Sequence, residues 1–380
     1  MKQLRFRWHL YIPTVVVTGL LLIPVVRESF RNMGFRWLYV LCVAYGISFC
    51  LTPVFGGIAK YFNILDNPDA RKSHLKATPL LGGAAIFFAI TAAIFLNGIC
   101  IQPICIILTA SALVFCVGVI DDISEISATL KMMVQMTVTG GVIFLGIRLH
   151  VIPDHLGWFA EAGNILLTVI WIIGITNAMN FFDGMDGLAG GLGALIAFFL
   201  GIVAFQTSQP YLGWLSLAVM GSCLGFLPYN LKGRGRASIF LGDAGSTTIG
   251  FILACLAVYG EWAVNNPIVA VVSPLLIFWV LIFDMIYITV DRVLTGKVNN
   301  VRQWLEYVGQ DHLHHRLAQV MGSTKKSVVF IYLLTICLGI SAVVLIHAGT
   351  LDALLLVVQG LILVALISVL ERYGRFGPSK

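Results

Sequence analysis

The chain has 380 residues, of which 59% are hydrophobic and 11% charged, with a formal net charge of +6 and a mean hydropathy of +0.94. Soluble domains carry about 25% charged residues, so this composition excludes a soluble protein and describes an integral membrane protein. Its apolar runs reach the roughly 17–25 residues of a crossing helix, which argues against a barrel, and no nucleic-acid-binding pattern accompanies the positive charge.

Residues 1–35 read as an N-terminal extension and 36–380 as a single polytopic domain. In the extension, Lys2, Arg5 and Arg7 precede an apolar run from Leu10 to Val26, which reads as an added span, a signal-like segment or a helix in the interface. From Arg36 the pattern predicts eleven helices, at about 37–59, 80–96, 103–120, 133–149, 164–180, 188–206, 211–229, 244–260, 267–290, 328–347 and 351–370. The predicted fold class is therefore an all-α polytopic membrane protein with about 11 transmembrane helices, or 12 if residues 10–26 also cross.

Basic residues sort the loops. One set holds Lys60, Arg71, Lys72 and Lys76, then Lys131, then Lys232, Arg234 and Arg236, then Arg292, Lys297, Arg302, Arg316, Lys325 and Lys326, and the tail Arg372, Arg375 and Lys380; the opposite set holds Arg148 alone. The first set is expected in the cytoplasm. A twelfth span would put Arg27, Arg31 and Arg36 on the outer side, against that rule. The eight cysteines lie in or beside apolar runs and read as small core residues; Cys100 and Cys105 are the one pair placed for a disulfide.

Five polar islands fall on the predicted cytoplasmic side. The first, Asp66 to Gly83, concentrates Arg71, Lys72, His74 and Lys76 among helix breakers and by itself is also what an ordinary basic loop looks like. The second is Asp121-Asp122-Ile-Ser-Glu125, then Lys131 and Gln135; helical spacing brings Asp121, Glu125 and Lys131 to one face. Two adjacent carboxylates at a membrane boundary repel unless a cation compensates. The third runs Asn177-Ala-Met-Asn180-Phe-Phe-Asp183-Gly-Met-Asp186-Gly-Leu188 between two apolar runs. A charge at a helix centre costs about 2.5–3.5 kcal/mol, so these acids must meet water, a cation or a polar cavity. The fourth, Gly242-Asp243-Ala-Gly-Ser246, heads a span and reads as a phosphate cradle whose amides take an anion while Asp243 holds Mg²⁺. The fifth carries Gln310-Asp311-His312-Leu-His314-His315-Arg316-Leu317, imidazoles suited to a diphosphate or a metal. Asp284, in the preceding span, either looks into the same cavity or makes an internal pair.

With these motifs on one face, the sequence resembles the polyprenyl-phosphate N-acetylhexosamine-1-phosphate transferases, relatives of the phospho-MurNAc-pentapeptide translocase. The resemblance covers about residues 37 to 370. It implies Asp121 as base for the lipid phosphate, Asp122 as its partner near the cation, and Lys131 on phosphate. It implies Asn180 and Asp243 as Mg²⁺ ligands, with Mn²⁺ able to substitute. Asn177, Asp183 and Asp186 would line the nucleotide site, and His312, His314, His315 and Arg316 would hold diphosphate or sugar. The implied partners are a UDP-N-acetylhexosamine, N-acetylglucosamine first among them, polyprenyl (undecaprenyl) phosphate and the bilayer of a cell (inner or plasma) membrane; no nucleic acid is implied, and a homodimer is compatible. The implied reaction releases UMP and starts a lipid-linked envelope glycan.

Two features depart from the family. Met285 stands where it usually has Thr, and residues 304–308 suggest a short amphipathic surface helix. A transporter of lipid-linked precursors is the competing reading; it predicts internal repeats and midplane charges, whereas here the acids gather at one face. A CDP-alcohol phosphotransferase would need a paired-Asp spacing missing after Asp183, and a scaffold has no use for five acid-bearing islands.

Overall fold

The computed structural model describes residues 8–67, 77–231, 237–263, 266–300, 303–304, 307, 309 and 311–376. The loop cations Arg71, Lys72, His74, Lys76, Lys232, Arg234 and Arg236 lie outside these, and so does most of the surface helix expected at 304–308.

The described chain is almost wholly helical. In order come α1 (Trp8–Leu21), α2 (Pro24–Asn32), α3 (Arg36–Tyr61), the strands β1 (Leu65–Asp66) and β2 (Thr78–Pro79), α4 (Gly82–Leu96), α5 (Gln102–Ile123), α6 (Ala128–Phe144), α7 (Trp158–Phe181), α8 (Leu188–Gln206), α9 (Pro210–Asn230), α10 (Gly242–Tyr259), α11 (Pro267–Ile277), α12 (Trp279–Leu294), α13 (Leu313–Met321), α14 (Thr324–Leu345) and α15 (Thr350–Phe376). Among the described residues eight helices are long and apolar enough to cross a membrane, and up to ten spans result if each bent pair counts as one.

Each of the eleven expected helices has a counterpart, with two corrections, and a third falls in the extension. The predicted 133–149 helix is α6, starting at Ala128, because Ser127 caps it by accepting the Leu130 amide at 3.3 Å. The predicted 267–290 helix is two, α11 and α12, turned by 77° at Phe278; the apolar run passes through the turn uninterrupted, so hydropathy carries no sign of it. The run from Leu10 to Val26 likewise breaks, and α2 turns 74° from α1. Also, Cys100 and Cys105 are free thiols, like the other six cysteines.

The bundle is built around α10, 89% of whose length is buried. Helices α4, α5, α7 and α8 pack around it. Close approach rests on missing side chains: a Cβ on Gly83 would collide with the backbone of Gly245, and one on Gly118 with that of Ala244. Such small-residue contacts let membrane helices pack where no hydrophobic force distinguishes partner from lipid. The antiparallel β1–β2 ladder, Leu65 opposite Pro79 and Asp66 opposite Thr78, closes the first polar loop. Its exit docks on the segment entering α10: Phe240 N–H donates to Pro79 O at 2.8 Å, Gly82 N–H to Phe240 O at 3.0 Å and Gly83 N–H to Leu241 O at 2.8 Å. The first and fourth polar islands thus meet at the N-terminal end of the buried helix.

Candidate active site

The first turn of α10 leaves amides that need acceptors, and Asp122, from the last turn of α5, supplies them. Its Oδ1 accepts the Asp243 amide at 2.8 Å and its Oδ2 the Ala244 amide at 3.2 Å. A carboxylate at a helix N-terminus also satisfies the helix dipole. Gly242 opens this turn with φ +76°, and a Cβ there would come within 2.5 Å of Asp122 Oδ2. The expected phosphate cradle is therefore corrected: Asp122 occupies two of its amides.

Asp121 faces elsewhere. Its Oδ1 accepts the Ile126 amide at 2.9 Å, while Oδ2 meets Lys131 Nζ at 2.6 Å. Lys131 also reaches Asp243 Oδ2 at 2.9 Å. The acid and the ammonium converge as the sequence suggests, but not on one helix. Helix α5 stops at Ile123 and Ser124 is extended, so Lys131 reaches back from α6; Glu125 is exposed, and the second acid is Asp243.

The third island lines the other side. Asn177 Nδ2 donates to Gln135 Oε1 at 2.7 Å. Asn180 Nδ2 donates to Ser246 Oγ at 3.0 Å and lies against the Asp243 carboxylate. Asp183, on the 3₁₀ turn Phe182–Gly184, faces the Gly242 amide within the field of Asp243 and Asp122. Among the described residues, four carboxylates, Asp121, Asp122, Asp183 and Asp243, thus share a neighbourhood with one ammonium, that of Lys131. Asp186 turns away and accepts the Ala237 amide at 2.9 Å, tying this turn to the segment before α10.

The histidine island closes over the same turn. Asp284, fully buried on α12, accepts His312 Nδ1–H and the Leu313 amide, each at 2.7 Å, with Arg316 Nη2 at 3.9 Å. Of the two readings open for Asp284, the internal pair is the one found, and it anchors the start of α13. Arg316 is buried between Asp284 and Glu371 (3.5 Å), its guanidinium 3.8 Å above the Tyr287 ring. His312 lies 5.0 Å from the Phe181 ring and His314 5.3 Å from that of Phe182. His314 is fully buried, both ring nitrogens without a hydrogen-bond partner among the described residues, and a Cβ on Gly184 would sit 2.7 Å from its Nε2. Burial, then the charges of His315, His312 and Arg316, holds His314 well below the usual imidazole range; burial and His312 also lower His315.

A model of glycosyl transferase family 4 matches residues 104–261, which include the paired aspartates, the asparagine–aspartate turn and the head of α10. A protein of Bacillus subtilis (strain 168), named a probable undecaprenyl-phosphate N-acetylglucosaminyl 1-phosphate transferase, is 34% identical over 78% of this chain and 81% of its own. The chain belongs to the polyprenyl-phosphate N-acetylhexosamine-1-phosphate transferase family. The decaprenyl-phosphate N-acetylglucosaminephosphotransferase of Mycobacterium leprae (strain TN) is 30% identical over 76% of this chain and 78% of its own. The undecaprenyl-phosphate alpha-N-acetylglucosaminyl 1-phosphate transferase of Escherichia coli (strain K12) is 26% identical over 73% and 75%.

Several residues of this transferase's site escape sequence reading. Arg292 and Asp311 form a two-pronged pair, Nε to Oδ2 and Nη2 to Oδ1, both at 2.8 Å, with the guanidinium 4.5 Å over Tyr307. Asn230 Oδ1 accepts the Gly187 amide at 2.7 Å while its Nδ2 donates to Ile239 O at 3.0 Å. Ser246, Tyr287 and Glu371 join as partners of Asn180 and Arg316. Asp311 and Ser246 stood inside quoted motifs and Arg292 among the loop cations, without their pairings; Asn230, Tyr287 and Glu371 are brought in by folding from helices whose sequence reads as ordinary span.

Proposed function

We propose that this chain transfers N-acetylglucosamine-1-phosphate from its UDP diester to the phosphate of a polyprenyl lipid, releasing UMP, at the head of α10 on the cytoplasmic side. The observation that carries this reading is Lys131 bridging Asp121 and Asp243, acids from two different helices, beside a surplus of carboxylate oxygens among the described residues. Such a surplus asks for a hard cation. Among the described residues no three acidic, imidazole or thiol groups converge as a ready cage, and Mg²⁺ needs none, because it binds through one or two carboxylates plus substrate phosphates. Asp243 and Asn180 would hold it. When bound, such a cation supplies neutralising charge to the diphosphate.

The rest falls to the protein's own groups, which mainly position two anions in line. Asp122 holds the α10 terminus and so fixes where Asp243 points. Asp121 takes the proton of the lipid phosphate. A lipid phosphate oxygen forms a bond to the sugar-bearing phosphorus, the bond from that phosphorus to the UMP oxygen breaks, and UMP leaves with the electron pair. Lys131 stabilises the charge that develops. His314, with two ring nitrogens unspent among the described residues, is the imidazole placed to meet the nucleotide sugar, while His312 is held by Asp284 and Arg316 lies between Asp284 and Glu371.

The test is exchange of labelled UMP into a panel of UDP-sugars by purified protein. Label should enter UDP-N-acetylglucosamine, should stop with EDTA and return with Mg²⁺, and should fall at least a hundredfold in Lys131→Ala, the scale of losing one preorganised electrostatic contact. Near-normal exchange by that variant, or efficient use of the muramyl pentapeptide nucleotide, overturns the assignment.

A further inference from the structure

Three arginines stand apart from everything above. Arg27 and Arg31 lie on α2, and Arg36 opens α3. With Glu28, Tyr39 and Asn97 they line a cavity of about 230 Å³. This cavity is at the far end of the bundle from the transferase site. Helix α3 carries Arg36 at one end and leads to the β1–β2 ladder at the other, about 39 Å away for 26 residues at about 1.5 Å each. Helix α4 runs the same way in reverse, from its bond to Phe240 at the site to Leu96 and Asn97 at the cavity.

The guanidiniums are held but not consumed. Arg27 Nη1–H donates to Leu96 O at 2.8 Å, Arg36 Nη2–H donates to Asn97 O, and Arg36 lies 3.9 Å over the Trp214 ring. Each guanidinium has five N–H donors, so most remain available. Arg27 approaches Glu28 at 3.6 Å, and Arg31 has no ion-pair or side-chain hydrogen-bond partner among the described residues. Three cations therefore face one carboxylate. The setting is interfacial: Val25, Met33, Phe35 and Trp37 beside the arginines are exposed apolar surface, and Tyr211 and Trp214 form an edge-to-face pair nearby. Aromatic rings gather at headgroup depth, where guanidinium groups meet the phosphates of anionic lipids.

We infer that Arg27, Arg31 and Arg36 form a binding pocket for a phosphate-bearing anion, an anionic phospholipid headgroup in the first instance, on the membrane face opposite the transferase site. The pocket also accounts for three arginines where the loop charges predict none: cations ordered by a headgroup are stable on a side where unpaired ones are not favoured. Guanidinium forks fit phosphate in two-pronged geometry, and lysines would not replace them equally.

The full chain in detergent micelles is titrated with phosphatidylglycerol, phosphatidylcholine or inorganic phosphate, followed by tryptophan fluorescence, since Arg36 covers Trp214, and by counting retained lipid in native mass spectrometry. Phosphatidylglycerol should bind at least tenfold tighter than phosphatidylcholine, and Arg31→Gln and Arg27→Gln should each abolish that preference. UMP exchange by Arg31→Gln should be unchanged, which shows that the variant folds and keeps this result separate from the fate of the transferase reading. Saturation by inorganic phosphate that Arg31→Gln removes, without lipid preference, keeps the anion site and identifies the free ion as its occupant. Equal lipid binding that the arginine variants leave unaltered, with no response to phosphate, removes the site altogether.

Discussion

The Asp122 carboxylate accepts the backbone N–H of Asp243 at 2.8 Å, across 121 positions of sequence, and this bond fixes the helix that carries the candidate metal ligand to the helix that carries the candidate base. Replacing one member of the Asp121–Asp122 pair therefore does something different from replacing the other. Asp122→Ala should lower stability by about 1–2 kcal/mol, the cost of a lost N-cap, and misplace Asp243. Asp122→Asn keeps one acceptor oxygen for the Asp243 amide but turns an NH2 toward that of Ala244, so it should lose less stability than Asp122→Ala without matching the parent. Thermal unfolding of both in detergent checks this; equal losses of stability would mean that charge, and not capping, is what the helix needs there.

A second expectation concerns pH and the loop before α13. Burial raises the Asp311 carboxyl, but the hydrogen bonds and charge of Arg292 outweigh it and leave the group below the usual carboxylate range. A folded pKa that is depressed gives stability that is present above the unfolded value, about 3.9, and is lost as pH falls through the folded one. The parent should therefore lose stability below about pH 4. Arg292 is 1% exposed, and Arg292→Ala leaves Asp311 unpaired at about 2–4 kcal/mol, near the range for broken buried pairs. Melting curves from pH 3 to 8 test both: in Arg292→Ala the acid-side loss should shrink, and an unchanged pH profile would show that the pair contributes nothing.

The third expectation is the charge state of His314. With burial foremost, and His315, His312 and Arg316 adding to it, its ring is held well below the usual imidazole value. It should be neutral throughout pH 6 to 8, and because the unfolded ring protonates near 6.5, its share of stability is present above that value and declines as pH falls beneath it. Nitrogen-15 histidine NMR, assigned by comparison with His314→Gln, reads the ring directly. A His314 resonance titrating near 6.5 would place the ring in water and contradict its burial against Phe182 and Gly184.

The sequence by itself determined the class of molecule and the gathering of its acids at the ends of apolar runs. Apolar runs of crossing length can only be helices in lipid, since every backbone amide must be satisfied within the segment, and an aspartate at a span's end must find water, charge or a cation. That made Asp121, Asp122, Asp183 and Asp243 legible before any coordinate. What each acid does was decided by tertiary structure, because a carboxylate is the same group whether it caps a helix or binds a cation, and only its neighbours differ. Asp122 became a cap because Gly118 lets α5 close on α10, and Lys131 became a bridge because the chain turns at Ser124. Asp284 reached the histidines because α12 bends by 77° from α11, within a run whose hydropathy never falters. Pairings such as Arg292 with Asp311 and Arg316 with Glu371 leave no periodic trace, for they join elements whose separation in sequence is set by loops and whose meeting is set by packing.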